Sequence, residues 1–329
     1  MMKSIFAQEI TDFLIIARNA YSDNTYNHCV CYLKHFDEWI FLSGIDEKNL
    51  NRDIIQKYSK TLSGANLTIN SHLDIITKFL KYLISLGFNE YIPEKKKYIS
   101  SYVPYYFTDE DIVSIFETCD NLKPRNNLKI NNKLENIEIP MVIRILYGTG
   151  SRLTETVNLK VKDIDFEKKA IYFTHDTKKK KQRIVPVHDS LFEILEQYIE
   201  AMGIKELPDS YLFPLYTNSS NHIVSKYLSD YFSESILSDI RKKQNLLKHQ
   251  RGACIHQFRH SFALRSFRQF ELNGNSSKNL VPILSLYLGH DSLNETEKYL
   301  RFSYILYPEA NEKMSELSND IFPEVNFDE

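Results

Sequence analysis

Cysteine is scarce in this 329-residue sequence: Cys29, Cys31, Cys119 and Cys254 are the four, with no C-x-x-C pair. That excludes a disulfide-built scaffold. His28 and His35 flank the first two cysteines, but the spacing fits no zinc finger or ribbon, so these read as ordinary core and surface residues. Nine glycines and ten prolines exclude collagen-like or linker-dominated architectures. No apolar run approaches the roughly 18 residues of a membrane span, and Gln8, Glu9 and Asp12 interrupt the N-terminus early. The expectation is a chain neither secreted nor membrane-spanning, kept in a reducing cytoplasm. A net charge of −2 also argues against a protein that coats nucleic acid uniformly.

What is present is a core-forming composition, 43% hydrophobic and 26% charged, in a chain long enough for about two domains. The charge is unevenly spread. Between Glu309 and Glu329 seven acids face one base, a local net of −6, which leaves the remainder at +4. Lys160 to Arg183 carries nine bases against four acids, and Arg241 to Arg251 carries five bases and no acid. Such runs are commonly solvated faces and identify nothing alone. The abundance of Asn, Ile, Lys and Tyr points to an AT-rich genome, that of a bacterium or its mobile element.

Apolar residues in the first ninety positions return at three- and four-residue steps: Val30, Leu33, Phe36, Ile40, then Ile69, Ile76, Phe79, Leu83. With segments near Ile5–Ala17 and Ile54–Leu62 they predict a four-helix unit over residues 1–92, with Gly44 and Gly87 closing two helices. Residues 93–107, with Pro93, a charged run and Pro104, read as an extended linker. A second domain, 108–329, opens with a capping box at Thr108 and Asp111. The polar stretch from Asn121 to Glu138 reads as a surface loop. Alternation at Ile171–Thr174 and again at Arg183–Val187 predicts a β-hairpin with a lysine-rich tip, and helical patterns resume near Ser190. The expected fold is mainly α with a small antiparallel sheet.

Four segments carry the chemistry: GTGSRLTE around Arg152, the hairpin THDTKKKKQRIVPV, HQFRH from His256 to His260, and LGHDSLNETEKY from Leu288 to Tyr299. Together, in this order, with His290 nine residues before Tyr299, they resemble the signature of the tyrosine recombinase (phage integrase) family, of the Xer-like kind. The resemblance covers about residues 108–302, and the N-terminal helical unit is similar to that family's core-binding domain. It implies a site-specific DNA recombinase whose helical core-binding domain and mixed α+β catalytic domain form a clamp round duplex DNA. A non-cleaving DNA-binding accessory protein and a type IB topoisomerase are the alternatives; filled catalytic positions argue against the first, and the separate helical unit with the LGH-to-Tyr spacing against the second.

Attack of a hydroxyl on a phosphodiester builds negative charge on the non-bridging oxygens, so pre-placed cations supply the main stabilisation. Arg152 and Arg259 suit that task because a guanidinium grips two oxygens and stays charged. His256, three residues before Arg259, falls on the same helix face. His260, adjacent to Arg259, is expected to point elsewhere. Tyr299, placed nine residues after His290, is the expected nucleophile with His256 as a candidate helper; the resemblance implies that His290 donates to the phosphate, with helix C-capping as its alternative role. A phenol with a pKa near 10 needs such help at neutral pH; Tyr304 and Tyr307 lie close by in sequence.

The resemblance also assigns the leaving-group proton to a hairpin lysine. Here the family's Gly-Lys-Gly is replaced by Asp176-Thr177-Lys178 and a run to Lys181; counting back from Arg183 selects Lys178 as catalytic and leaves Lys179, Lys180, Lys181 and Arg183 as DNA-binding candidates. Glu155 matches the acid that orients the family's site, or is a helix-surface carboxylate. No metal and no cofactor are implied, since the arginines, lysine and histidines supply the charge. Implied partners are double-stranded DNA with paired inverted-repeat sites and a homotetramer on that DNA; a C-terminal helix expected near residues 308–319 is either exchanged between protomers, the reading the resemblance favours, or packed on its own domain.

Overall fold

The computed structural model describes residues 2–96, 105–122, 134–174, 182–215, 220–244 and 252–306. The chain divides into two compact units, residues 1–102 and 103–329.

In the first unit four helices assemble around one apolar stripe each. Helix α1 (Ala7–Ala20) buries Ile10, Phe13 and Ala17, and α2 (Asp23–Leu42) buries Cys29, Leu33, Phe36 and Ile40. Helix α3 (Arg52–Thr61) starts where the Asn51 side chain accepts from Ile54 N at 3.1 Å, and α4 (Asn66–Ser85) supplies Ile76, Phe79, Leu80 and Leu83 to the shared core. Asp37, buried on α2, accepts from the backbone N–H groups of Lys3 and Ser4 at 2.7 and 3.0 Å and fixes the chain's start. Cys29 faces the core and Cys31 the solvent.

The second unit opens with α5 (Asp109–Asp120), whose capping box is formed as the sequence predicts: Asp111 N donates to Thr108 Oγ1 at 3.2 Å and Thr108 N to Asp111 Oδ2 at 3.1 Å. Helix α6 (Glu135–Thr149) begins inside the stretch expected to be a loop. Glu135, Asn136 and Glu138 give that segment its polar look, but the buried Ile139, Met141, Val142 and Ile143 that follow carry it as one helix. Residues 123–133 of the stretch lie outside the described residues.

A short helix α7 (Leu153–Val157) and a 3₁₀ turn (Val161–Asp163) lead into three antiparallel strands, β1 (Ile164–Asp165), β2 (Ala170–Phe173) and β3 (Arg183–Pro186). They stand in the order β1-β2-β3, with Ile171 opposite both Ile164 and Val185 and Phe173 opposite Arg183. Helix α8 (Asp189–Ala201) follows; α9 (Ser225–Tyr231) continues through a π-helical turn, Phe232–Ile236, into α10 (Ser238–Lys243). Helices α11 (Gln257–Leu272), α12 (Ser277–Leu288) and α13 (Leu293–Leu306) complete the unit. Among the described residues no helix is long and apolar enough to cross a membrane.

The buried α11 packs against α6, α12 and α13, so three helix ends converge on its first turns. Two of those ends are closed by glycines in the left-handed region, Gly150 after α6 (φ 60°) and Gly289 after α12 (φ 67°). At Gly150 there is no room for a side chain: a Cβ would lie 2.6 Å from Phe262 Cδ1 and 2.9 Å from Leu288 Cδ2. Gly150→Ala should therefore destabilise by about 1–3 kcal/mol, or about 2–4 °C in Tm per kcal/mol for a domain of this size, as a circular dichroism melt would register. An unchanged Tm would mean that α6 and α12 part readily at this point.

Candidate active site

Arg152 immediately precedes α7, and its position is set by one carboxylate. Glu155 Oε1 accepts from Arg152 Nη1 at 2.8 Å while Oε2 accepts from Arg152 N at 3.0 Å. Glu155 is only 1% exposed, which removes the reading of it as a helix-surface carboxylate. Burial alone would raise its pKa, but hydrogen bonding and charge from Arg183, and then from Arg152, overcome that and hold it below the usual carboxylate range. The remaining Arg152 Nη2 reaches Gly289 O at 3.4 Å.

Arg259, in the first turn of α11, is 2% exposed and spans the two helix ends: Nη1 donates to Gly150 O at 2.8 Å and Nη2 to Leu288 O at 2.7 Å. Carbonyls at helix C-termini carry partial negative charge and lack intrahelical partners, so one guanidinium satisfies both. Burial and the nearby Arg152 lower its pKa to about 10, which still leaves it charged at neutral pH. His256, directly before α11, lines a cleft of about 260 Å³ together with Ser151, Arg152 and Thr154. Surrounding protein, then Arg259 and Arg152, lower its pKa, although the residue as a whole is exposed.

His290 follows the Gly289 turn; its backbone N–H donates to Ser285 O at 2.9 Å, and its Nδ1 lies 2.7 Å from Thr296 Oγ1 on α13. The same helix presents Tyr299 in its second turn, 6% exposed, with its ring nearly parallel to that of His290 at 5.9 Å. His260, contrary to expectation, faces the site. Its Nδ1 is 3.0 Å from the Tyr299 hydroxyl, and its ring meets that of His256 edge-on at 4.8 Å. Adjacency to Arg259 suggested a different face, but His260 is four residues from His256, and that spacing returns a helical side chain to the same face. Burial, then His256, Arg259 and His290, lower its pKa to about 3, so the ring is neutral and can accept the phenol's proton in a hydrogen bond. Burial raises the Tyr299 pKa despite the opposing pull of Arg259 and Arg152.

Arg183 is the second correction. Expected to face DNA, it has a side chain 8% exposed, paired through Nη2 with Glu155 Oε2 at 2.7 Å and donating through Nε to Tyr287 O at 2.9 Å. Phe173, opposite it on β2, stacks beneath the guanidinium at 4.5 Å. Lys178, Lys179, Lys180 and Lys181 lie outside the described residues, as does Tyr307; of Tyr304 only the backbone is described. Of the six residues singled out for chemistry, five therefore stand together: Arg152, His256, Arg259, His290 and Tyr299.

Comparisons with known proteins agree with this fold. The family model described as "Phage integrase family" matches residues 106–304. A tyrosine recombinase of Pseudothermotoga lettingae is 26% identical over 305 residues, covering 89% of this chain and 92% of that protein. Tyrosine recombinase XerC of Staphylococcus carnosus is 23% identical, covering 83% of this chain and 82% of its own length. Among solved structures, the XerH site-specific recombinase bound to palindromic difH substrate in a post-cleavage complex superposes with a TM-score of 0.64 at 20% identity, over 92% of this chain and 83% of that one. A lambda integrase tetramer bound to a Holliday junction gives 0.61 at 13% identity, over 90% and 78%; at such identities these two speak for the fold. Since the family match spans more than half of the chain and includes each of the converging residues, the chain belongs to the phage integrase family, the tyrosine recombinases.

Proposed function

We propose that this chain is a site-specific recombinase that cuts and rejoins duplex DNA through a 3′-phosphotyrosyl link to Tyr299. The observation that carries the reading is the seating of the Tyr299 hydroxyl on His260, beside the Arg152, Arg259 and His290 cluster. In the forward step Tyr299 Oη attacks phosphorus, a P–O bond to tyrosine forms, and the bond to the 5′ oxygen breaks. The phenolic proton passes toward His260 Nδ1, and the departing 5′ oxygen takes a proton from a lysine. A phosphate seated against Arg152, Arg259 and His256 would offset the mutual repulsion of those groups and raise the imidazole pKa values toward the working range. The phosphotyrosyl ester keeps the energy of the broken bond, so a 5′ hydroxyl can reverse the step without a cofactor. Incubating the chain with a nicked duplex bearing its site should trap a covalent protein–DNA adduct.

The proposal gives His260 the helper role that the motif alone assigned to His256. His260→Phe should retain DNA affinity and slow adduct formation by roughly ten- to a hundredfold, within the range of lost proton-transfer assistance. A wild-type rate would return the role to His256.

Lys178 is the proposed general acid. Lys178→Ala should slow cleavage by roughly a hundred- to ten-thousandfold, whereas Lys180→Ala or Lys181→Ala should mainly weaken binding. A substrate with a 5′-bridging sulfur needs no proton on departure and should rescue Lys178→Ala; failure of that rescue would move the acid elsewhere.

The two units are proposed to act as core-binding and catalytic domains, and the active form as a homotetramer on paired inverted-repeat sites, in keeping with the lambda integrase tetramer similar to this chain. Sedimentation of the protein with site-bearing duplexes would distinguish tetramers from independent monomers.

A further inference from the structure

We propose that Arg183 is a positioning residue for the reaction, tying Glu155 and Arg152 to the turn that carries His290. The inference rests on the recombinase reading above and goes beyond it by giving a role to a residue that touches neither the nucleophile nor the proposed phosphate cleft.

The contacts close a ring. Arg152 binds Glu155 through its own backbone N–H and Nη1, Glu155 Oε2 also accepts from Arg183 Nη2 at 2.7 Å, and Arg183 Nε donates to Tyr287 O at 2.9 Å. Two residues on, Gly289 O accepts from Arg152 Nη2 at 3.4 Å and completes the circuit. His290 is the next residue. Its backbone is thus held through Tyr287 by Arg183 and through Gly289 by Arg152.

The pocket around the guanidinium is built to keep it there. Phe173 covers one face, and a Cβ on Gly289 would come within 3.2 Å of Arg183 Nη1, so the glycine makes room for the arginine as well as turning the chain. Arg183 is also the first residue of β3, so its anchoring holds the start of that strand. A side chain 8% exposed with two N–H groups already engaged is poorly disposed to reach a phosphate.

The electrostatics agree. Glu155 faces Arg152 at the start of its own helix, Arg183 from β3 and, at longer range, Arg259 from α11; Arg183 is the strongest of the groups keeping it ionised. A carboxylate whose folded pKa is depressed keeps its pairing above the ordinary carboxylate range and loses it as pH falls through the lowered value. Without Arg183, burial is less opposed, Glu155 takes up its proton at higher pH, and Arg152 loses its partner there.

The test compares the full chain with Arg183→Met and Arg183→Lys on a nicked duplex whose sequence is recovered by selection from a randomised library with the Tyr299→Phe protein. Expected for Arg183→Met is a DNA affinity within about twofold of wild type with the same salt slope, and adduct formation slower by roughly a hundredfold, the cost of a misplacement of about an ångström. Its rate should begin to fall at a higher pH on the acid side than that of wild type. Arg183→Lys keeps a cation beside Glu155 but cannot span both partners, so it should lose rate while keeping the wild-type acid limb, which separates positioning from general loosening even if the Met variant melts early. Glu155→Gln combined with Arg183→Met should cost less than the product of the two single losses, because both break the same ring.

An affinity weakened tenfold with a salt slope reduced by about one would make Arg183 a phosphate contact and overturn the proposal. Wild-type cleavage by both variants would do the same while leaving the recombinase reading intact. A wild-type chain that forms no adduct would overturn that reading, and this one with it.

Discussion

Tyr299→Phe is expected to bind the target duplex with wild-type affinity and to form no covalent adduct on a nicked substrate. The substitution removes one oxygen and leaves the ring, so the 5.9 Å stack with His290 and the burial against Ala263, Leu264 and Leu284 survive. What disappears is the only phenol seated on His260 among the described residues. A buried phenol with a raised pKa is a poor nucleophile on its own; the neighbouring Arg259 and Arg152 make its oxyanion less costly, and His260 accepts its proton. The loss should therefore reach the detection limit of a gel assay. An adduct formed by the variant at an appreciable rate would place the nucleophile elsewhere, Tyr304 and Tyr307 being the nearest tyrosines in sequence.

Arg259→Lys is expected to be almost as severe, despite preserving the charge. The guanidinium bridges Gly150 O and Leu288 O at 2.8 and 2.7 Å, and an ammonium is a point donor that cannot reach both in the same geometry. One carbonyl is left buried and unpaired, costing about 1–3 kcal/mol of stability. The ends of α6 and α12 then lose their common anchor, and with them go the registers of Arg152 and His290. Loss of one pre-placed donor to a developing oxyanion typically costs about 10²–10³ in rate; here the same change also disturbs its neighbours, so a fall of at least roughly that size is expected in single-turnover cleavage, together with a lower Tm. Wild-type cleavage by this variant would mean that Arg259 is purely a structural strut.

Much of this was legible in the sequence because it depends on local periodicity or on local spacing. The heptad-like returns of Leu33, Phe36 and Ile40 specify α2, the Thr108–Asp111 pair specifies the start of α5, and the alternation at Ile171–Phe173 specifies β2. The four motifs likewise brought together Arg152, His256, Arg259, His290 and Tyr299. What escaped the sequence is set by tertiary contact. Arg183 carries the same charge as the lysines before it, and only the position of Glu155 across the fold, 28 residues away, shows that it turns inward. The neighbour of His260 in sequence says little about where it points, because its partners are His256, four residues before it, and Tyr299, 39 residues after it. The start of α6 is hidden because a polar beginning looks like a loop until the buried run Ile139 to Ile143 behind it is taken into account.

The central claim, that Tyr299 becomes joined to a DNA 3′ phosphate, is tested most directly by digesting the trapped protein–DNA adduct with protease and nuclease and sequencing the peptide by mass spectrometry. The account predicts a nucleotide on the tyrosine of the peptide containing Asn294 to Leu300, linked through a 3′ phosphate. A nucleotide on Tyr304 or Tyr307, on a serine, or linked through a 5′ phosphate would contradict it.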